Sequence, residues 1–184
     1  MPNWVYNTLV ASGDKEEVKR FVDQASKSYV RRYMKYDFDN DKMNWNEETV
    51  ETDFSFWNFV RPEEEILEDY YGKDPARSLA DALKFDSNHW YDWNVRNWGC
   101  KWDASEVYAE QQDEETRALY EFQTPWGPPM AAFEAMAAQF PELTLELRYE
   151  EEQGWGGEAI SIEGQVSMLK EWDIPEYEDE QVLA

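Results

Sequence analysis

The chain has 184 residues, and its 41 Asp and Glu against 17 Lys and Arg give a formal net charge of −24. A surface this acidic repels nucleic-acid phosphates and anionic membranes and attracts basic partners, so we expect no direct contact with nucleic acid or membrane. Because 42% of the residues are hydrophobic and 16% are aromatic, a sizeable core can form, which excludes a disordered acidic tail.

Cysteine content and hydropathy indicate a reducing, cytoplasmic setting. Cys100 is the single cysteine, so no internal disulfide can form. No apolar run is long enough to span a membrane, and the charged residues from Asp14 onward argue against a signal peptide. We expect one domain over residues 1–184, with a helical insertion at 61–103 and an acidic tail at 171–184.

The first predicted elements are a strand over Trp4–Ser12 and a helix that starts at a capping box, Asp14 followed by Glu17. A second strand is predicted over 53–60, where three phenylalanines alternate with polar residues. The apolar stripe of the helix would comprise Val18, Phe21, Val22, Ala25 and Tyr29.

The predicted insertion at 61–103 is acidic and helical. Pro62 can open a short helix that carries Ile66, Leu67 and Tyr70. Residues 87–98 are typical of a further helix, which Gly99 would close. Between them, Asp74 and Pro75 begin a segment with three apolar residues, Leu79, Leu83 and Phe85.

The second half of the chain predicts strand, helix and strand. Residues 118–123 are rich in aromatics, Pro128 and Pro129 can start a helix, and leucines alternate with polar residues over 143–150. A hairpin strand at 158–163 and a short strand at Ser105–Glu110 would extend the sheet. The pattern predicts an α+β, ferredoxin-like (split βαβ) antiparallel sheet with its helices on one face. The stripe of the second helix would comprise Met130, Phe133, Met136, Ala137 and Phe140.

Four fragments resemble the Api92-like proteins of phages and conjugative plasmids: MPNWVYNTL, NWGCKWDA, FQTPWGPP and YEEEQGWGGEA. The resemblance implies a ferredoxin-like domain, an origin in a mobile element and no assigned activity. The family pattern has Thr where Cys100 stands, and Ala and Ser where Pro125 and Gly127 stand. The resemblance therefore implies no thiol chemistry that the family would share.

Catalytic and metal-binding readings find little support. Cys100 and His89 form the only possible nucleophile–base pair, and no motif flanks the cysteine. An EF-hand spacing begins at Asp37, but Lys42 stands where the turn requires Gly and places a cation beside the ion. We therefore expect no cofactor, no metal and no calcium binding. The four ligand positions of that spacing are Asp37, Asp39, Asp41 and Glu48.

The charge layout suggests a non-enzymatic binding protein. Clustered carboxylates can imitate DNA phosphates, so the chain is expected to occupy a basic, nucleic-acid-binding surface of a host protein, as an anti-defence inhibitor would. A carboxylate- or metal-dependent hydrolase and an RNA-binding aromatic sheet, the latter through 27–36, stay open as alternatives. The oligomeric state also stays open. The expected partner-binding residues are Glu63, Glu64, Glu65, Glu68 and Asp69.

Overall fold

The computed structural model describes residues 2–72, 87–110 and 116–174. None of the helices in these ranges is long and apolar enough to cross a membrane. In chain order the helices and strands are β1 (Trp4–Ser12), α1 (Lys15–Ala25), β2 (Tyr29–Asp37), β3 (Lys42–Val50), α2 (Leu67–Tyr71), α3 (Trp90–Trp98), β4 (Ser105–Glu110), β5 (Arg117–Pro125), α4 (Met130–Gln139), β6 (Thr144–Glu151), β7 (Gly156–Ile162) and β8 (Gln165–Trp172). Two 3₁₀ turns lie at Phe56–Asn58 and Glu64–Ile66.

Six antiparallel strands form the main sheet, in the order β4-β5-β1-β6-β7-β8. The elements β1, α1, β4, β5, α4 and β6 make the split βαβ arrangement, which confirms the predicted fold class. Strands β7 and β8 extend the sheet beyond β6. The predicted hairpin strand is therefore present as β7, and β8 follows it without having been predicted.

Helices α1 and α4 cover the same face of this sheet, as predicted. Phe21 of α1 and Phe133 of α4 are fully buried, together with the alternating residues Leu145 and Leu147 of β6. The Asp14 side chain caps α1 but accepts its hydrogen bond from the backbone N–H of Glu16, at 2.9 Å. Glu17 instead binds Arg20, so the predicted capping box forms only in part.

The prediction of a strand at 53–60 is wrong. Phe54 and Phe56 are buried, but Phe56 begins a 3₁₀ turn, and its backbone N–H donates to the Asp103 carboxylate at 2.7 Å instead of to a neighbouring strand. The second strand of the split βαβ unit is β4, which pairs with β5. The segment between α1 and β4, residues 26–104, is called the inserted segment below.

The inserted segment opens with a two-stranded hairpin, β2 paired with β3. Tyr29 therefore belongs to a strand, and its predicted place in the α1 stripe is wrong, because α1 ends at Ala25. Helix α2 begins at Leu67, after the Glu64–Ile66 turn, and not at Pro62 as predicted. Helix α3 follows as predicted, and Gly99 closes it with a φ of 89° that favours glycine. The predicted apolar segment with Leu79, Leu83 and Phe85 lies outside the described residues, as does most of the predicted tail.

Candidate functional site

A cavity of about 680 Å³ lies between the β2–β3 hairpin, the Phe56–Asn58 turn, α2 and α3. More than half of its lining side chains are aromatic, and we call this cavity the aromatic cleft. Its volume falls within the roughly 300–1,000 Å³ typical of ligand pockets in proteins. The rings that matter most below are Tyr29, Trp45, Trp57, Tyr70, Tyr71 and Trp90.

The inserted segment brings these rings together from five elements: β2, β3, the Phe56–Asn58 turn, α2 and α3. Tyr29 of β2 stacks on Trp57 with ring centroids 5.7 Å apart and planes 21° apart. Trp57 in turn lies 5.6 Å from the ring of Tyr70 on α2. The Tyr70 hydroxyl donates to the side-chain oxygen of Asn94 on α3 at 2.9 Å, which ties α2 to α3. The walls are therefore held by ring contacts and by a buried hydrogen bond.

Among the residues that the structure describes, Asp103 contributes the one carboxylate that lines the aromatic cleft. Its Oδ2 accepts from the Ser55 hydroxyl at 2.5 Å and, over a longer 3.4 Å, from the Tyr29 hydroxyl. Its Oδ1 accepts from the backbone N–H groups of Phe56 and Ala104, at 2.7 and 2.8 Å. Burial raises the pKa of the Asp103 carboxyl, while these donors act to lower it.

Two arginines of β2 also line the cleft. Each is paired across the hairpin with a glutamate of β3: Arg31 with Glu48, and Arg32 with Glu47 at 2.7 Å. These pairs offset the basic charge of the strand that the RNA-binding alternative would use. That alternative stays a prediction, but its surface is less cationic than the sequence of 27–36 suggests.

The predicted partner-binding residues border the aromatic cleft. Glu63, Glu64 and Glu65 are exposed and line a hollow that also contains Trp57 and Tyr71, two of the rings of the cleft. Glu68 lies on α2 and lines a neighbouring hollow together with Tyr71 and Trp45. Asp69 is exposed on the same helix. The structure therefore brings Glu63, Glu64, Glu65 and Glu68 to one edge of the cleft, with Asp69 next to Glu68 in the chain. We call residues 63–69 the acidic segment.

The two rejected chemical readings rest on residues that do not line the described wall of the cleft. Cys100 is buried, its Sγ contacts the Trp102 carbonyl oxygen at 3.2 Å, and burial strongly raises the pKa of its thiol. Such a thiol is a poor nucleophile. The EF-hand spacing falls on the β2–β3 hairpin, where Asp37 caps the turn and Glu48 pairs with Arg31. Within the described ranges, no group of three or more His, Cys, Asp or Glu could hold a metal ion.

Sequence reasoning missed the polar centre of the cleft. Asp103 lies in the NWGCKWDA stretch, but its partners Ser55 and Tyr29 are 48 and 74 residues away in the chain. The signal that could have revealed it was the acidic residue Asp103 in a stretch that also contains Trp98 and Trp102. The hairpin was also missed, although three tyrosines of β2 precede a turn that contains Asp39, Asn40 and Asp41.

Comparisons with known proteins agree with the fold. Residues 98–182 match a family model described as a ferredoxin-like domain in Api92-like protein, which confirms the resemblance over that range. A crystal structure of a protein api92 from Yersinia pseudotuberculosis superposes with a TM-score of 0.63 and 10% sequence identity. The superposition covers 96% of this chain and 100% of that one, and at this identity it shows the fold alone. No match was found among curated proteins.

Proposed function

From the match of residues 98–182 to the ferredoxin-like domain of Api92-like proteins, we propose that this fold carries a non-enzymatic binding surface for a basic partner protein. The surface consists of the acidic segment and the aromatic cleft beside it. The observation that carries the proposal is their adjacency: exposed carboxylates and the rings of Trp57 and Tyr71 line one continuous region.

Charge would drive the approach of the partner. The net charge of −24 creates a long-range field that attracts a basic surface, and such fields raise association rates by about 10- to 1,000-fold. The acidic segment repeats negative charge along a helical turn and α2, as phosphates repeat along duplex DNA. A nucleic-acid-binding surface of a host protein is therefore the kind of partner that this charge fits.

Aromatic contact would hold the partner after it arrives. Tyrosine and tryptophan give large contact areas at low entropic cost, and they are enriched among residues that dominate binding energy. Trp45, on the rim of the cleft, is 45% exposed and available for such a contact. Binding of this kind, with carboxylates that attract the partner and rings that hold it, needs no chemical step. An inhibitor of a host defence protein could therefore act only by occupying the partner's nucleic-acid-binding surface.

The test compares two variants of equal net charge. In one, Glu63, Glu64, Glu65 and Glu68 of the acidic segment become Lys. In the other, four exposed glutamates elsewhere become Lys, namely Glu121, Glu142, Glu146 and Glu163. Both carry −16, since each exchange adds two positive charges to −24. The probe is a labelled peptide of lysines spaced by Gly-Ser, and the measurement is its association rate by stopped flow at low and at high salt.

We expect the variant in the acidic segment to associate at least about tenfold more slowly at low salt, whereas the second variant loses much less. Raising the salt concentration should reduce the difference, because exposed charges are screened within about 8 Å at physiological ionic strength. Equal rates for the two variants would mean that the acidity acts only through the total charge, and the proposal would be abandoned.

A further inference from the structure

We propose that the aromatic cleft receives an arginine side chain of the basic partner, with its guanidinium between aromatic rings and beside the Asp103 carboxylate. This inference rests on the proposed function, because it specifies which group of the partner enters the site. Its first support is the shape of the cleft, whose volume of about 680 Å³ is large enough for a long side chain.

The walls of the cleft suit a cation. The faces of aromatic rings carry partial negative charge and attract an ammonium or guanidinium group within about 6 Å of the ring centre. The same protein shows this interaction at the edge of the cleft: the Lys101 ammonium lies 4.6 Å from the ring centre of Trp102, which lines the cleft, and 4.8 Å from that of Trp126, which does not. Inside the cleft, Trp45 and Trp57 offer comparable rings.

The carboxylate at the cleft wall has hydrogen-bond donors but no counter-charge. Its donors are two backbone N–H groups and the hydroxyls of Ser55 and Tyr29, all of them neutral. In the described part of the chain, no Lys or Arg forms an ion pair with Asp103. A partly buried charge without an opposite charge is unfavourable, and a bound guanidinium would supply the missing cation.

A ligand can replace one of the hydrogen-bond donors to the Asp103 carboxylate, the Tyr29 hydroxyl. The Tyr29 hydroxyl lies 3.4 Å from Oδ2, at the long limit of a hydrogen bond, whereas the Ser55 hydroxyl lies at 2.5 Å. An N–H of the guanidinium that replaces the Tyr29 contact would form a shorter, charge-assisted bond. The Ser55 and backbone contacts, which hold the Phe56–Asn58 turn, would remain.

An anionic ligand fits the cleft less well. The arginines at its wall, Arg31 and Arg32, are already paired with Glu48 and Glu47. The field of a protein with a net charge of −24 repels an incoming phosphate or carboxylate. Among cations, guanidinium is favoured over ammonium, because it is planar, stacks on rings and is more weakly hydrated.

The test uses two labelled peptides of equal length and charge, one with four arginines and one with four lysines, each spaced by Gly-Ser. Their affinities for the full chain are measured by fluorescence anisotropy. Two variants address the cleft: Trp45→Leu removes a ring that is 45% exposed, and Asp103→Asn removes the charge with little change of shape. Trp126→Leu is the matched control, because this tryptophan is 51% exposed and is not part of the cleft wall.

We expect the wild type to bind the arginine peptide at least about fivefold more tightly than the lysine peptide. Trp45→Leu and Asp103→Asn should each reduce this preference and leave the lysine peptide nearly unaffected, whereas Trp126→Leu should keep it. Should Asp103→Asn fail to fold, the exposed Trp45 position still decides the result. Equal affinities of the wild type for both peptides, or a preference that survives both cleft variants, would overturn the inference.

The variant in which four glutamates of the acidic segment become Lys distinguishes a failure of this inference from a failure of the proposed function. It should weaken both peptides by the same factor and preserve the preference for arginine. If it weakens neither peptide while the preference for arginine persists, the steering function fails and the cleft assignment stands. If it weakens both peptides and the wild type does not distinguish them, the function stands and the cleft assignment fails.

Discussion

The ring of Phe21 on α1 meets the ring of Phe140, the residue that follows α4, edge to face with 5.0 Å between ring centres. Both rings are fully buried. Beside them, the Gln24 side chain donates to the Gln139 side chain at 2.9 Å. The ring contact and this hydrogen bond join the two helices of the split βαβ unit, and they hold both helices on one face of the sheet.

We expect Phe21→Ala to reduce the free energy of unfolding by about 3–5 kcal/mol, because it removes a buried ring and leaves a cavity. Urea denaturation, followed by circular dichroism, measures the change. Phe38→Ala is the control, since Phe38 is 88% exposed in the hairpin turn, and it should change stability by less than about 1 kcal/mol. Similar losses for both variants would contradict the described core.

We expect Gly156→Ala in β7 to reduce the free energy of unfolding by about 1–3 kcal/mol, the usual cost of overpacking. A Cβ at this position would overlap the carbonyl oxygen of Tyr149 on β6 and lie 2.6 Å from the Trp172 ring on β8. Gly127→Ala is the control, because its added Cβ would have 3.5 Å to the nearest atom. Thermal unfolding of the two variants gives the comparison, and a Gly156→Ala protein as stable as Gly127→Ala would refute the packing described for β8.

The charge on Asp103 should make stability depend on pH. Burial raises the pKa of this carboxyl above its ordinary value of 3.8. The native state therefore keeps the proton to a higher pH than the unfolded chain, and the contribution of Asp103 to the unfolding free energy falls as pH rises through that window. Relative to the wild type, Asp103→Asn should gain stability as the pH rises from the ordinary pKa of 3.8 through the raised pKa of the native carboxyl.

Urea unfolding of the wild type and Asp103→Asn across this pH range measures the difference. The groups that face Asp103 do not confuse the result, because the phenols of Tyr29 and Tyr70 and the thiol of Cys100 have raised pKa values and stay protonated. A stability difference that is constant with pH would show that Asp103 titrates at its ordinary value.

We predict that calcium does not bind the β2–β3 turn with micromolar affinity. Lys42 places a cation beside the expected ion position, and the Asp37 carboxylate already accepts from the backbone of Asp39 and the side chains of Asn40 and Asn44. Isothermal calorimetry should show no saturable heat. A saturating signal at micromolar calcium that disappears in Asp37→Ala would prove this prediction wrong.

The sheet could be predicted largely because its strands alternate. Leu145 and Leu147 of β6 are buried between exposed residues, a period that only a half-buried strand produces. Residues 53–60 show a similar alternation, but the Asp103 side chain takes the Phe56 N–H and turns the chain into a 3₁₀ turn. Strand β8 is exposed along most of its length, so its sequence carries no alternation to detect.

The candidate site could be predicted only in its charged part. The acidic segment is contiguous in sequence, so its composition alone marked Glu63 to Asp69. The aromatic cleft is assembled from residues far apart in the chain, and ring contacts such as that between Tyr29 and Trp57 depend on the hairpin, which composition did not reveal. Long-range packing of this kind leaves no local signature.

The Phe56–Asn58 turn fastens both ends of the inserted segment at one place. Asn58 donates from its side chain to the backbone oxygens of Ala25 and Lys27, where the segment leaves α1, and Ser55 and Phe56 bind Asp103, where it returns to β4. With the two ends clasped, lengthening or replacing the residues between them costs little closure entropy, about 0.6 kcal/mol for each doubling of a loop. The parts of the segment on either side of this turn can therefore vary from target to target, whereas the turn itself must stay, because its fully buried Phe56 ring packs on Phe122 of the sheet.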